Sequence, residues 1–338
     1  MPTQLSLFDT PAAAPAGCAD DDGTEGQQPP TAIGVAPAAV PAQIRALARR
    51  LAPGLRLGTS SWSFPGWAGL VYAGAATKTV LSRDGLTAYA HHPLLGTVGV
   101  DSGFYAPLEA RRLARSAAQV PAGFRFLVKA PATVTQRKQR ERDGRWRHNP
   151  GFLDVDTALR QAVEPFVVGL GERAGVLLFQ FPPQGRNIDP RRFAEDLYRF
   201  LNRLPAGAAY AVELRDAHLL TPDLAAALHH GGAVPSFACH PRLPELPVQL
   251  ELFERQPTTG PLVIRWLLRR NRGYEEARDR YHPFDRLAEP DPDTRRAIAA
   301  AVAAALAQGQ VVFVIVNNKA EGSSPHSIIA LAQALGES

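Results

Sequence analysis

Apolar residues recur along this chain in short continuous runs, and each run ends in polar side chains. The runs are LRLGTSS (55–61), GTVGVDS (96–102), FRFLVKA (124–130), GVLLFQF (175–181), YAVELR (210–215), AVPSFAC (233–239), PLVIRWL (261–267) and VVFVIVNN (311–318). They do not alternate apolar with polar positions, so each reads as a strand buried on both faces. Between them the apolar residues follow a helical period, over 108–119, 155–171, 190–204, 221–231, 293–308 and 327–335. A short helix over 44–51 leads into the first strand. Buried strands interleaved with amphipathic helices imply a parallel sheet covered by helices. Eight such units favour a closed TIM-like (β/α)8 barrel of the α/β class. An open doubly wound sheet would carry G-x-G-x-x-G after its first strand, and none follows here.

Residues 1–43 differ in texture. They are rich in Ala, Pro, Gly and acidic groups and poor in aromatics. Such a segment buries too little apolar surface to offset its ordering entropy, so a disordered tail is expected over 1–43 and the barrel over 44–338. The stretch 297–316 resembles a membrane span in composition, but Gln308-Gly309-Gln310 divides it into an alanine-rich helix and a β-branched strand. Neither half could cross a bilayer. No basic-then-apolar leader opens the chain, and two cysteines, Cys18 and Cys239, give neither a disulfide framework nor a zinc spacing. A cytoplasmic protein is expected.

In a barrel of this kind the chemistry sits at the C-terminal ends of the strands. Those ends supply Thr59, Ser60 and Trp62, then Asp101 and Tyr105, Lys129, Gln180, Glu213 and Arg215, Cys239 and His240, Arg265, and Asn317 with Asn318. Glu213 and Arg215 stand at i and i+2, so a strand projects them from one face. Glu213 could be a general base kept ionised by Arg215, with Lys129 binding an anion. A plug of mutually paired charges is the structural alternative.

The net charge is +5, carried almost wholly by arginine, with Lys78, Lys129, Lys138 and Lys319 the only lysines. Two rim segments concentrate it: 135–150, with Trp146, and 269–281, with Tyr274 and Tyr281. Arginines interleaved with aromatics suit phosphate contact and base stacking. Glu141, Asp143, Glu275, Glu276 and Asp279 could instead neutralise them. Cofactors stay unknown. A divalent metal on Asp101, Glu213 and His240 is conceivable, but no ligand spacing supports one.

The segment GTSSWSFPGWAGLVYAG (58–74) resembles the opening signature of the domain-of-unknown-function 72 family, the YecE-like proteins, through Gly58, Thr59, Ser60, Trp62, Trp67, Gly69 and Tyr72. Further motifs match in order at 100–108, 124–131, 177–183, 211–216, 263–266 and 316–327, so the likeness spans roughly residues 55–335. The resemblance implies a TIM-barrel-like fold and no particular activity. It marks Trp62, Tyr72, Tyr105, Lys129, Gln180, Glu213, Arg215, Arg265, Asn317 and Asn318 as site positions. The chain departs from the family at Gly99, where a Glu is usual, and at Leu267-Leu268, where a His-Gly is usual.

Gln4-Leu5-Ser6-Leu7-Phe8 is similar to the peptide with which bacterial DNA-processing proteins bind the replication sliding clamp. Leu5, Leu7 and Phe8 would fill an apolar groove while Gln4 hydrogen-bonds and the tail tethers. Gln249-Leu250-Glu251-Leu252-Phe253 nearly repeats it. Three functional readings stay open. The first is a hydrolase acting on a phosphate-containing substrate or nucleic acid, with Glu213, Lys129 and Asp101 catalytic. Trp62, Tyr72, Tyr105, Gln180, Arg215, Arg265, Asn317 and Asn318 would then bind substrate. The second is a non-enzymatic nucleic-acid-associated module. The third is carbohydrate-type chemistry on Asp101 and Glu213.

Overall fold

The structure is a computed structural model that describes residues 34–140 and 143–336. The clamp-like peptide at residues 4–8 lies outside them. All eight expected strands are present: β1 (Leu55–Thr59), β2 (Thr97–Val100), β3 (Arg125–Lys129), β6 (Ala174–Phe181), β7 (Ala209–Leu214), β8 (Ala233–Cys239), β9 (Leu262–Trp266) and β10 (Val312–Val316). They close into one parallel barrel in the order β1-β2-β3-β6-β7-β8-β9-β10, with β10 returning to β1. The remaining two strands, β4 (Lys138–Arg140) and β5 (Trp146–His148), form an antiparallel hairpin after β3. The periodicity did not reveal this hairpin, because strands this short and polar carry no apolar face.

Side-chain alternation divides the barrel into two cores. Leu127, Val176, Leu178, Ala211, Val234, Val263, Phe313 and Ile315 fill the lumen. The alternate residues, among them Leu57, Val98, Phe126, Leu177, Phe179, Val212, Ile264, Trp266 and Val314, pack outward under the helices. Continuing the lumen-facing series toward the strand ends gives Ser60, Asp101, Lys129, Gln180, Glu213, Arg215, Ser236, Arg265 and Asn317. The apolar lumen therefore carries a polar layer as its lid.

Gly58 follows from the same geometry. A Cβ there would lie 2.0 Å from the backbone oxygen of Thr97, so β1 and β2 can close the ring only with glycine at that position. The outward Thr59 meets Tyr89, whose hydroxyl accepts from the Thr59 amide and donates to the Thr97 carbonyl, each at 3.0 Å.

Residues 35–38, within the expected tail, join the barrel. The backbone of Ala36 and Ala38 pairs with Ala73 and Val71, and Val35 packs on the outer core. The helix Ala42–Arg50 follows, and Arg50 hydrogen-bonds the Gly336 carbonyl. The near-copy of the clamp-like peptide is part of the helix Leu246–Glu254. Gln249 there is buried and hydrogen-bonds both the amide and the carbonyl of Ala238, while Phe253 packs edge-on against Phe237. That segment is a structural barrel helix. Among the described residues no helix is long and apolar enough to cross a membrane.

Candidate functional site

The lid of the lumen is a chain of charges. Glu213 is fully buried on β7, and one carboxylate oxygen takes the Arg215 guanidinium at 2.6 Å. Arg265 reaches it from β9 with one terminal nitrogen at 3.0 and 3.2 Å, and Ser236 adds a longer bond of 3.4 Å. The other terminal nitrogen of Arg265 crosses to Asp101 at 3.2 Å, past the end of β2. Lys129 on β3 closes on Asp101 at 3.3 Å and lies 5.6 Å from the Phe104 ring centre. Arg265 thereby joins β2 to β7.

Electrostatics separates the two carboxylates. Burial pushes the Glu213 carboxyl up, but Arg215, Arg265 and Lys129 together outweigh burial and hold it down at about 2. Such a carboxylate is permanently charged and a weak base at neutral pH. The expected general-base role therefore suits it poorly, and it serves as the anchor for two guanidinium groups. Asp101 is the open one, its side chain 32% exposed. Burial lowers Lys129 to about 8, against the opposing pull of Asp101. His240 is pushed down to about 4 by burial and by Arg215, so its imidazole is neutral.

Lys319 was not among the candidate residues, and it belongs here. Its ammonium hydrogen-bonds the Asn317 side-chain oxygen at 3.4 Å and lies 4.3 Å from the ring centre of Tyr274. Burial lowers its pKa to about 8, opposed by Asp101. The lid thus holds Lys129, Arg215, Arg265 and Lys319 against Glu213 and Asp101. Two buried donors, Ser60 Oγ and Arg265 Nε, have no hydrogen-bond partner among the described residues.

The other expected residues divide. Gln180 is buried in the lid, in register with Glu213, and Tyr105 stands at the edge, 76% exposed. Asn317 faces the lumen and accepts from Lys319. Asn318 points the opposite way: its oxygen accepts from the amide and hydroxyl of Ser324, at 2.7 and 2.9 Å, holding the start of the last helix. Tyr72 is fully buried under the helices and donates to the Trp62 carbonyl, while the Trp62 indole donates to Leu81 at 3.0 Å. These three are packing residues of the outer shell, away from the lid. Cys239 also points outward, and burial first raises its thiol to about 12. Among the described residues no cluster of three His, Cys, Asp or Glu could hold a metal ion, so the Asp101–Glu213–His240 set is not assembled.

The rim segment 269–281 is neutralised. Arg269, Arg270, Arg272, Arg278 and Arg280 each lie within ion-pair distance of a carboxylate, among Glu245, Glu275, Glu276, Asp279 and Glu289. Glu289 alone gathers Arg269, Arg272, Arg280 and the Tyr281 hydroxyl, and the hydrogen bonds from Arg272 above all hold it at about 2.

A family profile described as protein of unknown function DUF72 matches residues 56–338. The chain belongs to the DUF72 family. Two crystal structures of DUF72 proteins resemble it. One, from Enterococcus faecalis at 3.10 Å resolution, shares 19% identity and covers 84% of this chain and 96% of its own, with a TM-score of 0.57. The other, from Thermotoga maritima at 2.20 Å, shares 19% identity over 83% of this chain and 98% of its own, with a TM-score of 0.56. At that identity the likeness speaks for the DUF72 barrel and not for an activity. A search of curated proteins finds no significant match.

Two departures from the usual DUF72 pattern can be located. Leu267 packs on Ala238 and Leu243, and Leu268 on Ala277, Tyr281 and Phe284, so both anchor rim loops. Gly99 faces the lumen, where a Cβ would sit 3.2 Å from Ser60 Cα and 3.5 Å from Ile315.

Proposed function

We propose that the lid of this DUF72 barrel binds a phosphate-bearing ligand and hydrolyses it. The observation that carries the reading is the imbalance of four cations against two carboxylates at the mouth of a parallel barrel. Glu213 satisfies the inner edges of Arg215 and Arg265. Lys129 shares Asp101 with Arg265, and Lys319 has no ion pair among the described residues, so their charge is under-compensated, and burial lowers both to about 8. An arriving dianion would raise both and hold their protons on above that pH. The unpartnered Ser60 Oγ and Arg265 Nε are further donors for its oxygens.

Asp101 and Lys129, 3.3 Å apart, then form an acid–base pair. Asp101 takes a proton from water as the water oxygen bonds to phosphorus. Lys129 gives its proton to the leaving alkoxide as the ester P–O bond breaks. The products are an alcohol and free phosphate, with the second proton transfer returned through solvent. Exposed Tyr105, edge-on to Phe104, and Tyr274, beside Lys319, suit a flat or apolar alcohol portion.

The test is calorimetric titration of inorganic phosphate and of p-nitrophenyl phosphate into the full-length chain, followed by assay for p-nitrophenol release. The expected result is binding that takes up protons near pH 8, seen as an enthalpy that depends on the buffer. Lys129→Met should weaken it by about tenfold or more, the loss of one charge-assisted contact. Binding without proton uptake, or unchanged in Lys129→Met, would overturn the anion site. Binding without turnover would remove the hydrolytic step alone.

A further inference from the structure

The two arginine-rich rim segments differ in one respect that composition hides. Every arginine of 269–281 has a carboxylate partner, as described above. Segment 137–148 carries six basic residues and only two acidic ones. Of its described cations, Arg147 alone has an ion pair, to Asp143 at 3.6 Å; Arg137, Lys138, Arg140 and Arg145 have none among the described residues.

The hairpin register sorts these residues by face. Lys138 stands opposite His148 and Arg140 opposite Trp146, while Gln139 opposes Arg147. Residues directly across and two apart share a face, so Lys138, Arg140, Trp146 and His148 project together. All four are exposed, and Trp146 is 59% exposed. An indole so exposed offers an open face for stacking. Lys138 and Arg140 stand about 6.6 Å apart along the strand, close to the repeat of successive phosphates on a single strand.

The platform is firmly rooted. Gln184 accepts from the Arg137 amide at 3.0 Å and donates to the carbonyls of Thr135 and Pro182, at 3.0 and 2.6 Å. Asn149 donates to the carbonyls of Thr133 and Gln136, at 2.8 and 2.6 Å. The ribbon leaves the C-terminal end of β3, on the same side of the barrel as the lid.

We propose that this face of the β4–β5 hairpin binds single-stranded nucleic acid, with a base stacked on Trp146 and flanking phosphates on Lys138 and Arg140. Stacking on an aromatic beside backbone-neutralising cations is how single strands are held without sequence preference. A duplex hides its base faces and offers nothing to the indole. The inference uses none of the lid residues and stands apart from the hydrolytic reading.

The test is fluorescence anisotropy of labelled deoxythymidine and uridine oligomers with the full-length chain, over a salt series. Trp146 fluorescence should be quenched on binding. Trp146→Ala should weaken binding by about tenfold. Arg140→Gln should make the slope of log affinity on log salt shallower by about 0.7, one phosphate contact. Arg278→Gln, on the neutralised rim segment, should leave both unchanged. Unfolding curves matching wild type would show that these exposed substitutions spare the fold. Wild-type affinity in Trp146→Ala, equal affinity for duplex, or a preference for phosphatidylserine vesicles over the strand would each overturn the proposal.

Discussion

Replacing Glu213 by glutamine isolates the charge on which the lid depends. The isostere keeps the volume and removes the anion between Arg215 and Arg265. Arg265 then retains only Asp101, and Arg215 retains no carboxylate. Removing one partner of a buried ion pair costs about 3–5 kcal/mol, because the remaining charge stays buried and uncompensated. The titration behaviour gives a second figure. The Glu213 carboxyl falls from its ordinary 4.5 to about 2 on folding, which corresponds to about 3 kcal/mol of stabilisation at neutral pH. The sign is that of a depressed acid. The contribution is whole above pH 4.5 and is lost as pH falls from there toward 2. At pH 7 the melting temperature of Glu213→Gln should therefore drop by roughly 6–20 °C. Urea unfolding of both proteins at steps from pH 7 to pH 3 would measure the gap directly. It should be about 3 kcal/mol at neutral pH and shrink below pH 4 as wild type itself protonates. A gap under about 1 kcal/mol at pH 7, or one that does not change with pH, would refute the anchoring role.

Three further outcomes follow from the same geometry, and a fourth tests the sequence of residues 4–8. Phosphate affinity should fall as pH rises through about 8, where Lys129 and Lys319 lose their protons, and Lys129→Arg should retain binding above that pH; titration across the range checks this. Asn318→Ala should lower stability by about 1–3 kcal/mol by orphaning two buried donors of Ser324, yet leave phosphate binding intact, which chemical unfolding and calorimetry together resolve. Gly58→Ala should fail to give a folded barrel by circular dichroism, since its Cβ would meet a backbone oxygen that cannot move aside. Purified sliding clamp should capture the full-length chain but not Leu7→Ala/Phe8→Ala; equal capture of both would dismiss the terminal peptide as a clamp ligand.

The barrel was legible because each strand is an apolar run long enough to be distinct and closed by polar residues. The hairpin was not, since Lys138–Arg140 and Trp146–His148 read as a polar loop. For the site, alternation is the decisive signal. It paired Glu213 with Arg215, and the 2.6 Å contact agrees. Applied to the end of β10 it would have separated Asn317 from Asn318 and brought in Lys319. Applied to β1 and β8 it would have turned Thr59 and Cys239 outward. Trp62 and Tyr72 stand in the shared signature, and the structure packs both on the outer core, a half-buried indole and a buried phenol. Basic composition, too, could not reveal that Glu289 and Glu245, outside the segment, join Glu275, Glu276 and Asp279 in neutralising one rim segment and leave the other charged.

The path of Arg265 across the mouth bears on how this barrel could be divided. Cut between β6 and β7, the N-terminal fragment would keep Asp101 and Lys129, a neutral pair. The C-terminal fragment would keep Glu213 with Arg215, Arg265 and Lys319, an excess of two positive charges at the mouth of an unfinished sheet. Neither half would inherit a closed set of contacts from the other. Half-barrels made at this junction should meet through the Arg265–Asp101 pair that the cut divides, and duplication of either half alone would not rebuild the ring.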